Sequence, residues 1–257
     1  MAYLFKDTDL AASRLQVLAE VFAPASRAFL LDMTREKPEL ALDLGCGPGY
    51  TTRLLAETTQ CVRAIGLDAS EHFVALAVGK ATKQIAFLRH DLTQTPFPTD
   101  PGDLLFCRML LTHLQNPLAI IERWATQMRP GGLLLLDEVE WIRTEHTLFR
   151  TYLSIIDAML GQQANQLYIG PLLDSQQPGG ELKRRLSRVY HLSVSTRQAA
   201  TMFSLNLLAW KRQPFIQERY QAGEIERLEA ELRELAACAT GKDEIEWGMR
   251  QVAYERV

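Results

Sequence analysis

The stretch Leu40-Ala41-Leu42-Asp43-Leu44-Gly45-Cys46-Gly47-Pro48-Gly49-Tyr50 decides the fold. Its first five residues, apolar except for Asp43, read as a buried strand. The alternating glycines that follow read as a tight turn, and a helix begins near Thr51. A glycine-rich turn between strand and helix lets backbone amides and a helix N-terminus come close to a ligand. The dinucleotide fingerprint would place its third glycine at position 50, which is Tyr50; the spacing here is G-x-G-x-G, which argues against NAD or FAD.

Beyond this turn, short apolar runs alternate with longer helical segments, the signature of successive βαβ units and a parallel sheet. Strands are expected near Leu40 to Leu44, Val62 to Leu67, Ile85 to Arg89, Leu104 to Cys107 and Leu133 to Val139. Between the last two, Asn116 can cap a helix and Pro117 suits its first turn. Leu118, Ile121, Trp124 and Met128 then share one face, and Arg129-Pro130-Gly131-Gly132 returns the chain to the sheet. Upstream, Leu10, Leu15, Leu18 and Phe22, then Phe29, Leu30 and Met33, predict two helices separated near Pro24.

After Trp141 the rhythm breaks into mostly helical patterns. A sixth strand is expected over Arg188 to Ser195 and a helix over Gln198 to Trp210. An amphipathic helix over Glu224 to Ala236 carries Ile225, Leu228, Leu232 and Leu235, too short a stripe for a coiled coil and expected to pack on the core. Ile245 to Tyr254 is a final alternating strand. The chain thus divides into an N-terminal helical cap (1–37), a ligand-binding core (38–141), a helical insertion or lid (142–187) and a C-terminal completion of the sheet (188–257). Tyr168-Ile169-Gly170-Pro171 reads as a loop or as the hinge of that lid.

The composition, 47% hydrophobic and 23% charged, is that of a folded globular chain. A net charge of −3 supplies no positive field to gather a polyanion, so neither a nucleic-acid nor a membrane partner is expected. The basic cluster Lys183, Arg184, Arg185 and Arg188 lies in a stretch that reads as helix, and a solvated face accounts for it. Cys46, Cys61, Cys107 and Cys238 are irregularly spaced, which predicts reduced thiols and no metal site. Met1 to Leu10 lacks an apolar signal region, and no apolar run approaches the ~20 residues that span a bilayer, so a cytoplasmic location is expected.

Taken as an ordered set, ALDLGCGPGYTT, GLDAS, FLRHDLTQTPFP, DLLFCRMLLTHL and RPGGLLLLDEVE resemble the motifs of class I S-adenosylmethionine methyltransferases over about Glu39 to Glu140. The resemblance implies an α/β fold with a doubly wound, Rossmann-like seven-stranded sheet, its last strand antiparallel, plus helical cap and insertions. It implies S-adenosylmethionine as cofactor and S-adenosylhomocysteine as product. By the same resemblance, Asp43 and the amides of Gly45, Cys46, Gly47 and Gly49 hold the methionine end. Asp68 takes the ribose hydroxyls, unless it only caps the next helix. Ala69 lies against the adenine, and Asp91, flanked by His90 and Leu92, meets its amino group, unless it is a turn residue before Thr93. Arg108 touches the methionine moiety through its backbone, or is a salt-bridging surface residue.

A sulfonium is already a strong electrophile, so the protein has mainly to align a nucleophile and exclude water; a general base is needed only for a protonated acceptor. His113 and Glu138 are the catalytic candidates at the carboxyl edge. His113 could equally be a packed helix histidine, and Glu138 or Glu140 a helix cap or a partner of Arg143. Trp141, His146, Tyr152 and Tyr168 are further candidates for substrate contact or for packing of the cap. The chain reads Cys107-Arg108-Met109-Leu110 where enzymes that methylate the amino groups of nucleobases and glutamine carry Asn-Pro-Pro-Tyr. The expected activity is therefore methylation of an O or N atom of a small organic acceptor. Bacterial small-molecule methyltransferases of specialised metabolism and of the aconitate type are the analogy. A rearrangement or cyclisation that uses the sulfonium as a fixed charge, a non-catalytic binding module, and an RNA or protein methyltransferase are the other readings; a homodimer is compatible with all of them.

Overall fold

A computed structural model describes residues 9–238 and 245–257. Most of the segment read for a signal peptide, residues 1–8, lies outside this set. Seven strands form one sheet: β1 (Leu40–Leu44), β2 (Arg63–Asp68), β3 (Ile85–Arg89), β4 (Gly102–Arg108), β5 (Met128–Thr144), β6 (Leu182–Val194) and β7 (Ile245–Arg256). Their order is β3-β2-β1-β4-β5-β7-β6. The first five run parallel, and β7 is antiparallel to both β5 and β6.

Strand alternation builds the two faces. Leu40, Leu42, Leu44, Leu105 and Cys107 point into a core shared with α4 (Pro117–Ala125) and α6 (Gly170–Ser175). Ala41, Leu104 and Phe106 point the other way, toward α1 (Asp9–Met33), α2 (Tyr50–Thr59) and α3 (Glu71–Val78). A further core packs α5 (Thr147–Gln162), α7 (Thr196–Trp210), the short α8 (Pro214–Arg219) and α9 (Ala222–Cys238) against the ends of β5 and β7. Ile225, Leu228 and Leu232 of α9 are buried there, as their spacing predicts.

The differences from expectation have local causes. Pro24 does not separate two helices, because α1 runs through it. Proline removes one bond to the residue four back, here the exposed Glu20, while buried Phe22, Ala25 and Phe29 hold the opposite face to the core. Met128 belongs to β5, not to α4, which stops at Ala125. Strand β6 begins at Leu182, so Lys183, Arg184, Arg185 and Arg188 lie on an edge strand and not on a helix. Charges there oppose pairing with another chain. Strand β5 runs on to Thr144; beyond Asp137 it leaves β4 and pairs with β7 alone.

Helix α1 is tied to the sheet by a buried polar set. Ser26 Oγ donates to Asp137 Oδ2 (2.7 Å), Arg108 Nη1 donates to Ser26 Oγ (3.2 Å), and Gln251 Nε2 donates to the carbonyl of Ala25 (3.1 Å). Ser26→Ala is expected to lower stability by about 2 kcal/mol, since a hydrogen bond to a buried charged group is lost. Urea unfolding would check it, and an unchanged midpoint would remove the tie from the account.

Candidate active site

The turn after β1 takes its shape from three glycines in the left-handed region, Gly45 (φ +79°), Gly47 (φ +50°) and Gly49 (φ +88°). A Cβ on Gly49 would also stand 2.7 Å from the Phe87 ring. The turn's amides are engaged within the protein. Those of Gly45 and Cys46 donate to the carbonyl of Leu67 (2.8 and 3.1 Å), that of Gly47 to Asp68 Oδ2 (2.8 Å), and that of Gly49 to the carbonyl of Cys46 (3.0 Å). What the turn presents to a ligand is thus a wall almost free of side chains, not the row of open amides expected from sequence. Lys80 Nζ donates to the Pro48 carbonyl (2.8 Å) and sits 3.9 Å from the Tyr50 ring centre, bracing the turn from α3's side.

A cavity of about 750 Å³ opens along this wall. Its rim carries Gly45, Cys46, Gly47, Asp68, Ala69, Asp91, Leu92 and Arg108, so eight of the cofactor residues named from sequence are brought together. Asp68 ends β2, with Oδ1 receiving the amide of Ser70 (2.8 Å); Ser70, not Asp68, caps α3 through the amide of Phe73 (3.1 Å). Asp91 accepts from the amide and hydroxyl of Thr93 (2.9 and 2.7 Å), bonds that hold its carboxyl below the usual range. It is a turn residue and a rim residue at once.

Asp43, Gly49 and His90 do not line the cavity. Asp43 is buried behind the turn, where its Oδ2 accepts from the hydroxyls of Thr51 and Thr52 (both 2.6 Å). Burial pushes its carboxyl up to about 6 against the pull of those two bonds and of Arg108. It therefore fixes the start of α2 and does not line the cavity. His90 instead engages the Gln94 carbonyl (3.0 Å) and the edge of Phe97. The Arg108 side chain is buried, not a surface ion pair: burial depresses its guanidinium while Asp137 and Asp43 support the charge. Met109 next to it has φ +51°, an unusual conformation for a non-glycine residue and one that clusters at functional sites.

The cavity then passes under α1, α5 and α7 into an apolar chamber that sequence reasoning found only in part. Tyr152 was among its candidates. Leu18 and Phe22 of α1, Ile156 of α5, Phe203 of α7 and Trp247 of β7 line it as well, and their local pattern signals no more than packing. Helical spacing of Arg14, Leu18 and Phe22 was the available signal, but nothing local says what that face covers.

His113 faces the cavity; its enclosure by protein, with Arg14 adding to the effect, pushes the imidazole down to about 3, so it is neutral near pH 7. Glu138 also borders it, with Oε1 accepting the amides of Leu110 and Leu111 (both 2.9 Å) and Oε2 buried without a hydrogen-bond partner. Burial raises this carboxyl to about 7 despite both amides.

Glu140, Trp141, His146 and Tyr168 are not brought to the cavity. Glu140 forms a two-pronged ion pair with Arg250 (2.8 and 2.7 Å), which also reaches Asp174 (2.9 Å). The Trp141 indole lies where a Cβ on Gly248 would fall, with Arg143 4.1 Å above its ring. His146 packs on Phe149. The contacts of Glu140 and Trp141 are long-range and depend on the β5 extension, which the sequence pattern ends at Val139. Among the described residues no group of histidine, cysteine and carboxylate side chains is arranged to hold a metal ion, and no helix is long and apolar enough to cross a membrane.

Residues 42–136 match the family model described as a methyltransferase domain. The chain thus resembles a methyltransferase over that segment. It is similar to trans-aconitate 2-methyltransferase of Azoarcus sp. (strain BH72), 30% identical over 112 residues that make up 44% of either protein. The match therefore spans less than half the length of that relative. The domain with its cap is also similar in fold to an S-adenosylmethionine-dependent methyltransferase from Thiobacillus denitrificans solved with S-adenosyl-L-homocysteine (TM-score 0.55, 18% identity, 91% of this chain and 92% of that one). The [4+2]-cyclase SpnF shares it as well (TM-score 0.56, 18% identity, 90% and 80%). These likenesses show the methyltransferase fold, not the reaction.

The raised carboxyl of Glu138 gives a prediction of definite sign. The folded protein holds this proton more tightly than an unfolded chain, whose carboxyl titrates near 4.5. The group's contribution is fully present below that value and is lost as pH rises through about 7. Glu138→Gln should remove this loss, so that its stability relative to the parent improves by on the order of 3 kcal/mol between about pH 4 and about pH 8. Urea unfolding of both proteins at both pH values is the measurement; parallel pH profiles would contradict the burial cost.

Proposed function

We propose that this protein transfers the methyl group of S-adenosylmethionine to an O or N atom of a small organic molecule, of the kind handled in specialised metabolism. The observation that carries the proposal is one continuous cavity, with the glycine wall, Asp68 and Asp91 at one end and an enclosed chamber at the other. S-adenosylmethionine, when bound, supplies an activated methyl on a positively charged sulfur.

The donors fit that group. The side-chain-free wall admits close approach, Asp68 offers carboxylate lone pairs to a ribose, Ala69 and Leu92 offer apolar surface to a base, and Asp91 offers an acceptor to an amino group. The chamber keeps water from the acceptor, and its helices hold the acceptor in line.

His113 contributes as a neutral hydrogen-bonding group toward the acceptor. A base poised near working pH is the efficient one, and a group titrating near 3 takes little proton. Glu138 is a positioning residue. Through the amides of Leu110 and Leu111 it fixes the segment that carries both Met109 and His113.

Asp68→Ala is expected to weaken S-adenosylhomocysteine binding at least tenfold, about 1.4 kcal/mol, and to lower the melting temperature as the Gly47 and Ser70 amides lose their acceptor; unchanged affinity by calorimetry would withdraw the ribose role. His113→Phe should lower turnover while leaving that affinity in place, and a fully active variant would take His113 out of the reaction. S-adenosylhomocysteine should appear in step with methylated product. Product formed without it would replace methyl transfer with the fixed-charge chemistry of a cyclisation.

A further inference from the structure

We infer that the acceptor is a neutral molecule built on an aromatic ring and bearing one O–H or N–H, and not a polycarboxylate. The inference rests on the methyl-transfer reading above and concerns the same cavity.

Beyond the rim the chamber is walled by aromatic and aliphatic side chains. Tyr152 and Phe203 stack with ring centres 4.1 Å apart, Phe203 lies 6.0 Å from Trp247, and Phe22 meets Trp247 edge-on at 5.7 Å. These residues belong to one buried cluster and line the chamber together. Such surfaces favour ring ligands through offset and edge contacts. The whole cavity, about 750 Å³, must take the nucleoside and the acceptor together, which limits the acceptor to a molecule of a few rings at most.

The charges point the same way. Among the described lining residues the carboxylates are Asp68, Asp91 and Glu138 and the permanent cations are Arg14 and Arg108. The Arg108 guanidinium is taken up by Ser26 and by the charges of Asp137 and Asp43. His113 is neutral near pH 7. A tricarboxylate such as trans-aconitate would thus bring three negative charges to a chamber whose remaining cation is Arg14, and buried charge without a partner is strongly disfavoured.

One polar point is built into the apolar wall. Asn206 donates through Nδ2 to Tyr152 Oη (2.6 Å), which leaves its buried Oδ1 without a hydrogen-bond partner. That oxygen can accept from a phenolic O–H or a ring N–H, so the acceptor would enter ring first with a single donor directed to Asn206.

The test uses the full chain and calorimetric titration. S-adenosyl-L-homocysteine is titrated first; the loaded protein is then titrated with 2-naphthol, 4-phenylphenol and indole, and separately with trans-aconitate. At least one ring compound is expected to bind saturably and at least tenfold more tightly than trans-aconitate. Asn206→Leu should weaken that binding several-fold, and Leu18→Trp, which fills the chamber from α1, should abolish it, both with S-adenosyl-L-homocysteine affinity retained. Should either variant fail to fold, the comparison of ring compounds with trans-aconitate on the parent protein decides alone. Normal binding of S-adenosyl-L-homocysteine with trans-aconitate preferred, or with none of the three ring compounds bound, overturns the acceptor class and leaves methyl transfer standing. Absence of S-adenosyl-L-homocysteine binding overturns the methyl-transfer reading, and this one with it.

Discussion

A buried guanidinium between two buried carboxylates governs the carboxyl edge of the sheet. Arg108 ends β4, Asp43 lies near the end of β1 and Asp137 lies on β5, so one cluster of charge joins three adjacent strands. Each member alone would be costly to bury, and each is tolerated because the others and a few hydroxyls surround it. Thr51 and Thr52 satisfy Asp43 and so seat α2; Ser26 satisfies Asp137 and so seats α1. Seating α2 shapes the glycine wall. Seating α1 brings the face that bears Arg14, Leu18 and Phe22 over the cavity. A cluster that touches the cavity only through Arg108 therefore sets the position of both ends of the site.

The same edge explains why the chamber is enclosed. A parallel sheet whose strands ended together would leave its carboxyl side open to solvent. Here β5 outruns β4 and continues beside β7, and these extended ends carry Val139, Ile142 and Trp247 into the cluster formed by α5, α7 and α9. Because the surroundings of His113 and Glu138 are desolvated, both are pushed toward their neutral forms, His113 downward and Glu138 upward. Low polarity, neutral histidine and exclusion of water are three consequences of one piece of architecture.

What could be read in the sequence follows from range. The wall of glycines, Asp68, Ala69, Asp91 and Leu92 each lie within a few residues of a strand end, and local pattern fixes where a strand end falls. All of them except Gly49 line the cavity. Asp43 and His90 share that neighbourhood, yet their side chains turn away, because Thr51 and Thr52 claim the first and Gln94 the second. Strand alternation says which side of a chain a residue is on, not which partner reaches it. Local pattern ends β5 at Val139, which would put Glu140 and Trp141 at the edge of the sheet; the strand's continuation to Thr144 sets them against Arg250 and Gly248 of β7, a pairing more than a hundred residues apart in sequence. The helical cap was legible as helices, but its role as a chamber roof was not, since amphipathic spacing names a buried face without naming what lies under it.

That division bears on how the aconitate-type relatives are used. The methyltransferase model covers residues 42–136, which contain the glycine wall, Asp68, Asp91 and Arg108. Leu18 and Phe22 precede it; Tyr152, Phe203, Asn206 and Trp247 follow it. The proposed nucleoside end and the proposed acceptor end of the cavity are thus carried by different parts of the chain. Partial identity of about a third, confined to less than half of either protein, can leave the second entirely unlike. A tricarboxylate site needs several cations converging on one chamber, and this chamber instead sets aromatic rings beside the Asn206 amide. The groups that separate the two kinds of ligand therefore lie on α1, α5, α7 and β7, where the physical requirements of a ring and of a tricarboxylate are opposed.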